Sequence, residues 1–134
     1  MRMTWDYIAG FFDGEGCISI YDYEHKRTFK DRPKGPYIMK EKYVKISLDQ
    51  KIRIFVHMVQ KQTEVLEEIQ EFLVAEGIQA NFHIKKTGMG AVQFSSRESV
   101  RVFLNKVIPY LRVKNHKAQI ALDFLNGVEQ EVLS

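Results

Sequence analysis

Asp13 and Glu15 stand two positions apart, each followed by a glycine, in the stretch Tyr7-Ile8-Ala9-Gly10-Phe11-Phe12-Asp13-Gly14-Glu15-Gly16. Carboxylates at a tight turn, with backbone carbonyls laid open by glycine, offer the hard oxygen ligands that a divalent cation takes. The residues before them read as a short helix with Ala9 and Gly10 in its middle, where glycine costs about 1 kcal/mol relative to alanine. That cost is offset where a second backbone must approach closely, because small residues let two helices touch. A close helix contact and a cation site at the end of one helix put chemistry at an interface.

The rest of the composition narrows the classes of chemistry. Cys17 is the single cysteine, which excludes an intramolecular disulfide and a cysteine-based zinc site and fits a reducing compartment. His25, His57, His83 and His116 are too scattered for a local metal motif. The chain starts without a signal or transit peptide and contains no apolar run long enough for a membrane span, so the expectation is an intracellular protein with no membrane partner. Its 134 residues suit a single domain, 1–134, with a real core.

The net charge of +3 conceals a polarity. Between His25 and Lys61 eleven Lys and Arg residues face three acids, whereas Glu64 to Glu76 holds five glutamates and no base. Charge runs usually form solvated faces. Here the basic stretch and its approach also carry Tyr21, Tyr23, Phe29, Tyr37 and Tyr43, a combination that favours nucleic acid.

The elements that must position these groups follow from hydrophobic period and caps. Thr4 caps a first helix that runs to about Asp13. Cys17 to Tyr23 alternates as a strand, with Ile18 and Ile20 inward and Ser19, Tyr21 and Tyr23 outward. Glu24 to Pro36 reads as a long mobile loop. Tyr43 to Gln60 has apolar residues in even phase and is either one bent strand or a hairpin turning at Asp49-Gln50. Lys51, Arg53, Phe55 and His57 share its opposite face in both cases. Thr63 caps a helix to about Ala75, striped by Val65, Leu66, Ile69, Phe72 and Leu73 and stopped by Gly77. Asn81–Lys86 and Ala91–Phe94 form a hairpin around Gly88-Met89-Gly90. Phe82, Ile84, Val92 and Phe94 point inward, and His83, Lys85 and Gln93 outward. Ser95 to Glu98 is a capping box for a third helix striped by Val100, Phe103, Leu104 and Val107 and ending near Pro109. A last helix runs from about Asn115 to Val132.

The resulting class is α+β: two successive αββ units and two closing helices, with four antiparallel strands covered by helices on one face. The open face carries Ser19, Tyr21, Tyr23, Lys51, Arg53, Phe55, His57, His83, Lys85 and Gln93, side chains that stack, donate and accept. A twisted β-ribbon fits the DNA major groove, where base edges are distinguishable.

Ile8-Ala9-Gly10-Phe11-Phe12-Asp13-Gly14-Glu15-Gly16 resembles the signature of the LAGLIDADG homing endonucleases, and the αββαββα order around it matches that family's saddle. The resemblance implies a homodimer whose motif helices cross through Tyr7, Gly10, Phe11, Asp13 and Gly14. It implies that Glu15 and the Gly14 carbonyl bind Mg²⁺ or another divalent cation, and that double-stranded DNA is cut at a long near-palindromic site, across the minor groove, leaving short 3′ overhangs. It assigns Gln60 to positioning water and Lys114 to supplying charge, with Lys61 and Lys117 as neighbouring alternatives. Asp13 is read as structural, not catalytic. The plain readings are that Gln60 caps a strand end and Lys114 is a solvated lysine. A catalytically inactive nucleic-acid binder of the same fold, such as an intron RNA maturase, is the other function class, and an ordinary α+β protein whose motif helix merely packs is a third.

Overall fold

The computed structural model describes residues 2–22, 27–29 and 52–126. Tyr23, Lys51, the possible turn at Asp49-Gln50 and the end of the last helix lie outside the described residues. Helix α1 (Trp5–Glu15) leads into β1 (Gly16–Asp22), β2 (Arg27–Phe29) and β3 (Ile52–Gln60). Helix α2 (Thr63–Ala75), the strands β4 (Asn81–Ile84) and β5 (Gly90–Phe94), helix α3 (Arg97–Val107), a 3₁₀ turn (Ile108–Tyr110) and helix α4 (Asn115–Asn126) follow. No helix among the described residues is long and apolar enough to cross a membrane.

The strands form an antiparallel sheet in the order β2-β1-β3-β5-β4. The four expected strands are all there, and the second strand of each αββ unit, β3 or β5, lies at the centre. The fifth, β2, corrects part of the loop reading of Glu24 to Pro36: Arg27–Phe29 pairs with Ile20–Asp22. Three residues between polar neighbours are too few for an alternation to register.

Period-two alternation then divides β1 and β3, whereas in β5 Ala91, of outward parity, is buried as well. Ile18 and Ile20 of β1 and Ile52, Ile54, Val56 and Met58 of β3 are buried, as are Val92 and Phe94 of β5. They pack beneath the helices against Ile8, Phe12, Leu66, Ile69, Leu73, Val100 and Leu104. Phe103 is the hub, with edge-on contacts to Phe12 and Phe94 at ring-centre distances of 5.1 Å and to Trp5 at 6.0 Å. Such pairs contribute roughly 0.5–1.5 kcal/mol each beyond area burial.

Ile84, expected inside, is 54% exposed. Its parity matches that of buried Val92, but it ends the edge strand β4, where no helix covers it.

The helix ends show where local chemistry fixes the chain. Thr4 caps α1 as expected, its Oγ1 accepting the Tyr7 N–H at 3.3 Å. Gly77, at φ 89°, ends α2 in a Schellman motif, with Ile78 N–H donating to the Leu73 carbonyl and Gly77 N–H to that of Val74. Two caps sit one residue from their expected places. Gln62, not Thr63, precedes α2 and gives no side-chain cap. Ser96, not Ser95, caps α3, its Oγ accepting the Ser99 N–H at 3.2 Å. The capping-box partner Glu98 bonds Arg101 instead, because Ser99 occupies the position three residues past the cap.

Candidate active site and nucleic-acid face

Helix α1 has two faces. Ile8, Ala9 and Phe12 are fully buried in the chain's own core. Tyr7, Gly10, Phe11 and Gly14, at helical spacing on the other side, are exposed or half-buried. The Tyr7 and Phe11 rings stack at 6.3 Å, and a Cβ built on Gly10 or Gly14 meets nothing within 4 Å. The structure thus separates the pair that the sequence grouped. Ala9 serves the interior, while Gly10 faces open space within one protomer.

The C-terminal end of α1 gathers the polar groups. The Phe12 carbonyl accepts the Gly16 N–H, and the Asp13 carbonyl accepts from Lys114 Nζ at 2.6 Å. The Gly14 carbonyl lies in the last turn of α1, where helix carbonyls lack an intrahelical donor. Glu15 is exposed and, among the described residues, has no hydrogen-bond or ion-pair partner. No group of three His, Cys, Asp or Glu converges on a metal position among the described residues.

Asp13 behaves as the structural residue it was read to be. Its carboxylate accepts the backbone N–H groups of Arg112, Val113 and Lys114 at 2.7, 3.1 and 3.0 Å. Partial burial pushes its pKa up, but these donors, with the Lys114 charge, outweigh that and hold it below the ordinary value. The carboxylate is engaged within its own chain, so at a contact between copies Asp13 offers no free carboxylate.

Lys114 is consequently drawn to the motif by its backbone and by its ammonium group. Its charge at a helix C-terminus is favourable, and the plain reading of a freely solvated lysine does not describe it. Gln60 ends β3. Its Oε1 accepts the N–H groups of Lys61 at 2.7 Å and Gln62 at 3.4 Å, as a local cap on the strand-to-helix turn.

The open face is organised by register. Cys17 pairs with His57, His57 with Gln93, and Gln93 with Asn81, which makes one row across four strands. Ser19 pairs with Phe55 and Tyr21 with Arg53. Ser19, Arg53, Phe55, His57 and Gln93 line one concave cavity of about 760 Å³. His83 and Lys85 are exposed towards the other end of the β4–β5 hairpin and do not line it. Burial, and then the charge of Lys85, lower the pKa of His57.

Asn81, Gln79 and Ser96 also line this cavity and were not foreseen. For Asn81 the signal was present, since it is two positions before His83 and therefore on the same face. Gln79 and Ser96 lie just outside the strands, where alternation gives no direction.

The family model described as LAGLIDADG endonuclease matches residues 8–129. No significant match was found among curated proteins. Among solved structures, the chain is similar to the homing endonuclease I-CvuI in complex with the I-CreI target in the presence of Mg, with the DNA not cleaved. The identity is 20% over 96% of this chain and 69% of that chain, with a TM-score of 0.63. I-CvuI with its own target and Ca gives 22% identity over 95% and 68% of the two chains, at a TM-score of 0.63. The archaeal intron-encoded homing endonuclease I-Vdi141I, complexed with DNA, gives 22% identity over 97% and 72%, at a TM-score of 0.61. At these identities the likeness speaks to the fold, whereas the family model spans both the acidic turn and the Lys114 region that closes on it. The chain belongs to the LAGLIDADG endonuclease family.

Proposed function

We propose that the protein is a homodimeric, divalent-metal-dependent DNA endonuclease. The observation that carries this reading is the outward face of α1, where Tyr7, Gly10, Phe11 and Gly14 end in the exposed carboxylate of Glu15. Glycines that meet nothing in their own chain suit a second α1 laid across them. That crossing brings together two acids that would repel each other, and bound cations offset the repulsion. Two-fold symmetry of the protein matches a near-palindromic target, each copy reading one half.

The donor set fits Mg²⁺. One carboxylate and one open carbonyl per chain are too few for an all-protein cage, but Mg²⁺ is usually held by one or two carboxylates together with water and substrate phosphate. Glu15 and the Gly14 carbonyl would hold it. When bound, the cation neutralises charge on the phosphodiester and acidifies water. Lys114, kept at the helix end by Asp13, adds positive charge beside the scissile group. The amide N–H₂ of Gln60, whose oxygen is occupied locally, is left to orient water or substrate. The open face, with Ser19, Tyr21, Arg53, Phe55, His57 and Gln93, meets the major groove, and His83 and Lys85 extend the contact. The solved complexes of similar fold contain DNA with Mg or Ca, which supports both the substrate and the cofactor class.

The test is Glu15→Gln. With a plasmid target library and Mg²⁺, the native chain is expected to cut and the variant only to bind duplex. Full activity in the variant would remove Glu15 from the chemistry. No product from any library, together with intact RNA binding, would favour the maturase reading.

A further inference from the structure

Building on the endonuclease reading, we infer that the carboxamide of Gln93 reads an adenine in the major groove of each half-site, while the Phe55 ring packs on the methyl of a nearby thymine. Both side chains line the concave cavity of about 760 Å³ on the open face of the sheet. Gln93 is exposed on β5, and its buried neighbours Val92 and Phe94 fix its outward direction. Its side chain takes no hydrogen-bond partner among the described residues, so oxygen and N–H₂ are both presented to a ligand. Asn81, directly opposite on β4, carries a second carboxamide into the same cavity.

Phe55 is the member that an ordinary polar face does not explain. It is half-buried on the open side of β3 and is not among the apolar residues packed on the core. A phenyl ring left in water gains when an apolar group covers it. In the major groove the apolar group that base pairs present is the thymine methyl. His57 pairs with Gln93, and Phe55 stands two positions before His57. Phe55 is therefore the diagonal neighbour of Gln93 on one face, about 7–8 Å away. Base pairs stack about 3.4 Å apart, so the two side chains reach bases within about two steps of each other.

The remaining chemistry of the cavity disfavours the other bases. Guanine is read by Arg or Lys donating to O6 and N7, and cytosine by an acid accepting from N4. No acid among the described residues lines the cavity, and its guanidinium, Arg53, lies four positions from His57 along β3. Burial, and then the Lys85 charge, hold His57 below its ordinary pKa, so the imidazole beside Gln93 brings no positive charge to the row at neutral pH. Adenine presents an acceptor at N7 and a donor at N6, the complement of a carboxamide that donates and accepts at once.

The full chain should be given a duplex library randomised over the half-site, in Ca²⁺, and the bound fraction sequenced, alongside Gln93→Ala, Gln93→Arg and Phe55→Ala. The native chain is expected to select adenine at one position of each half-site that depends on residue 93. Gln93→Ala should lower that preference by roughly fivefold to a hundredfold at this position alone, and Gln93→Arg should move it to guanine. Replacing the thymines within two steps by uracil, which lacks only the methyl, should weaken native binding about fourfold and leave Phe55→Ala unaffected. Thermal melting checks that each variant is folded. Native binding that selects no adenine, an adenine preference kept in folded Gln93→Ala or Gln93→Arg, or a loss spread evenly over all positions overturns the inference for Gln93. Native binding indifferent to uracil overturns it for Phe55. If the native chain binds no duplex at all, the endonuclease reading fails first, and the two failures are thereby distinguished.

Discussion

Asp13 and Lys114 are joined twice: the Lys114 backbone N–H donates to Asp13 Oδ1 at 3.0 Å, and its Nζ donates to the Asp13 carbonyl at 2.6 Å. One bond uses the aspartate side chain and the other its main chain, so the motif turn and the start of α4 are clamped from both sides. Asp13→Ala leaves the Arg112, Val113 and Lys114 amides without their acceptor. Water reaches Arg112 and Val113, so the expected loss of stability is about 1 kcal/mol, near the low end for such deletions. Chemical denaturation measures it. Lys114 loses its anchor as well, and cutting should fall more than duplex binding does.

The same carboxylate predicts a pH dependence. Its folded-state pKa lies below the ordinary value of 3.8. The unfolded chain therefore takes up the proton first as pH falls. The contribution is fully present above the unfolded pKa and is lost as pH drops through the folded one. In Asp13→Asn the decline of stability below about pH 4 should be shallower than in the native chain. An unchanged acid limb would assign the decline to other carboxylates.

Gly10 separates folding from assembly. Nothing within 4 Å meets a Cβ placed there, so Gly10→Ala should stabilise an isolated protomer by roughly 0.5–1 kcal/mol through helix propensity. In a dimer built on close α1 contact the added methyl pushes the helices apart. Sedimentation is expected to show weaker self-association in a chain that melts no earlier as a monomer. Equal or tighter dimers would move the interface away from Gly10.

Gly16 is glycine for a reason internal to the protomer. A Cβ there would stand 2.0 Å from Cδ1 of Phe12, whose ring is buried against Phe103. The ring has no room to yield, so Gly16→Ala should cost about 1–3 kcal/mol, the range for overpacking. A melting curve like that of the native chain would mean that the ring moves freely.

His57 should make stability fall in mild acid. Burial and the Lys85 charge depress its pKa below 6.5, so protonation favours the unfolded chain. The contribution is complete above the unfolded pKa and is lost as pH descends towards the folded one. His57→Gln is expected to flatten the stability profile between about pH 7.5 and about pH 5.5. Denaturant midpoints across that range provide the check.

The sequence made most of the scaffold legible because burial imposes a period. Even-numbered residues of β1 and β3 and the stripes of α2 and α3 repeat often enough to be read without coordinates. The helix that carries the acids was legible as well, but its end was not: α1 continues through Glu15 instead of stopping near Asp13. What escaped depended on partners distant in the chain or on lengths too short to show a period. Nothing local tells Asp13 that its acceptor sites will be filled by amides about a hundred residues away. Ile84 has the parity of a core residue, but parity does not say whether a helix extends far enough to cover it. Arg27–Phe29 is a strand because β1 offers an edge, not because of its own three side chains. Gln60 was placed correctly at the strand end, yet only the bonds to Lys61 and Gln62 reveal how its amide is divided.

The alternation of β1, β3 and β5 has an evolutionary consequence. Ser19, Phe55 and Gln93 can be exchanged for other side chains without altering the volume of the interior, since their neighbours in sequence, not they, fill it. Under the proposed reading, such a chain can drift towards new target sequences by single steps while the end of α1, clamped by a separate set of bonds, stays unchanged.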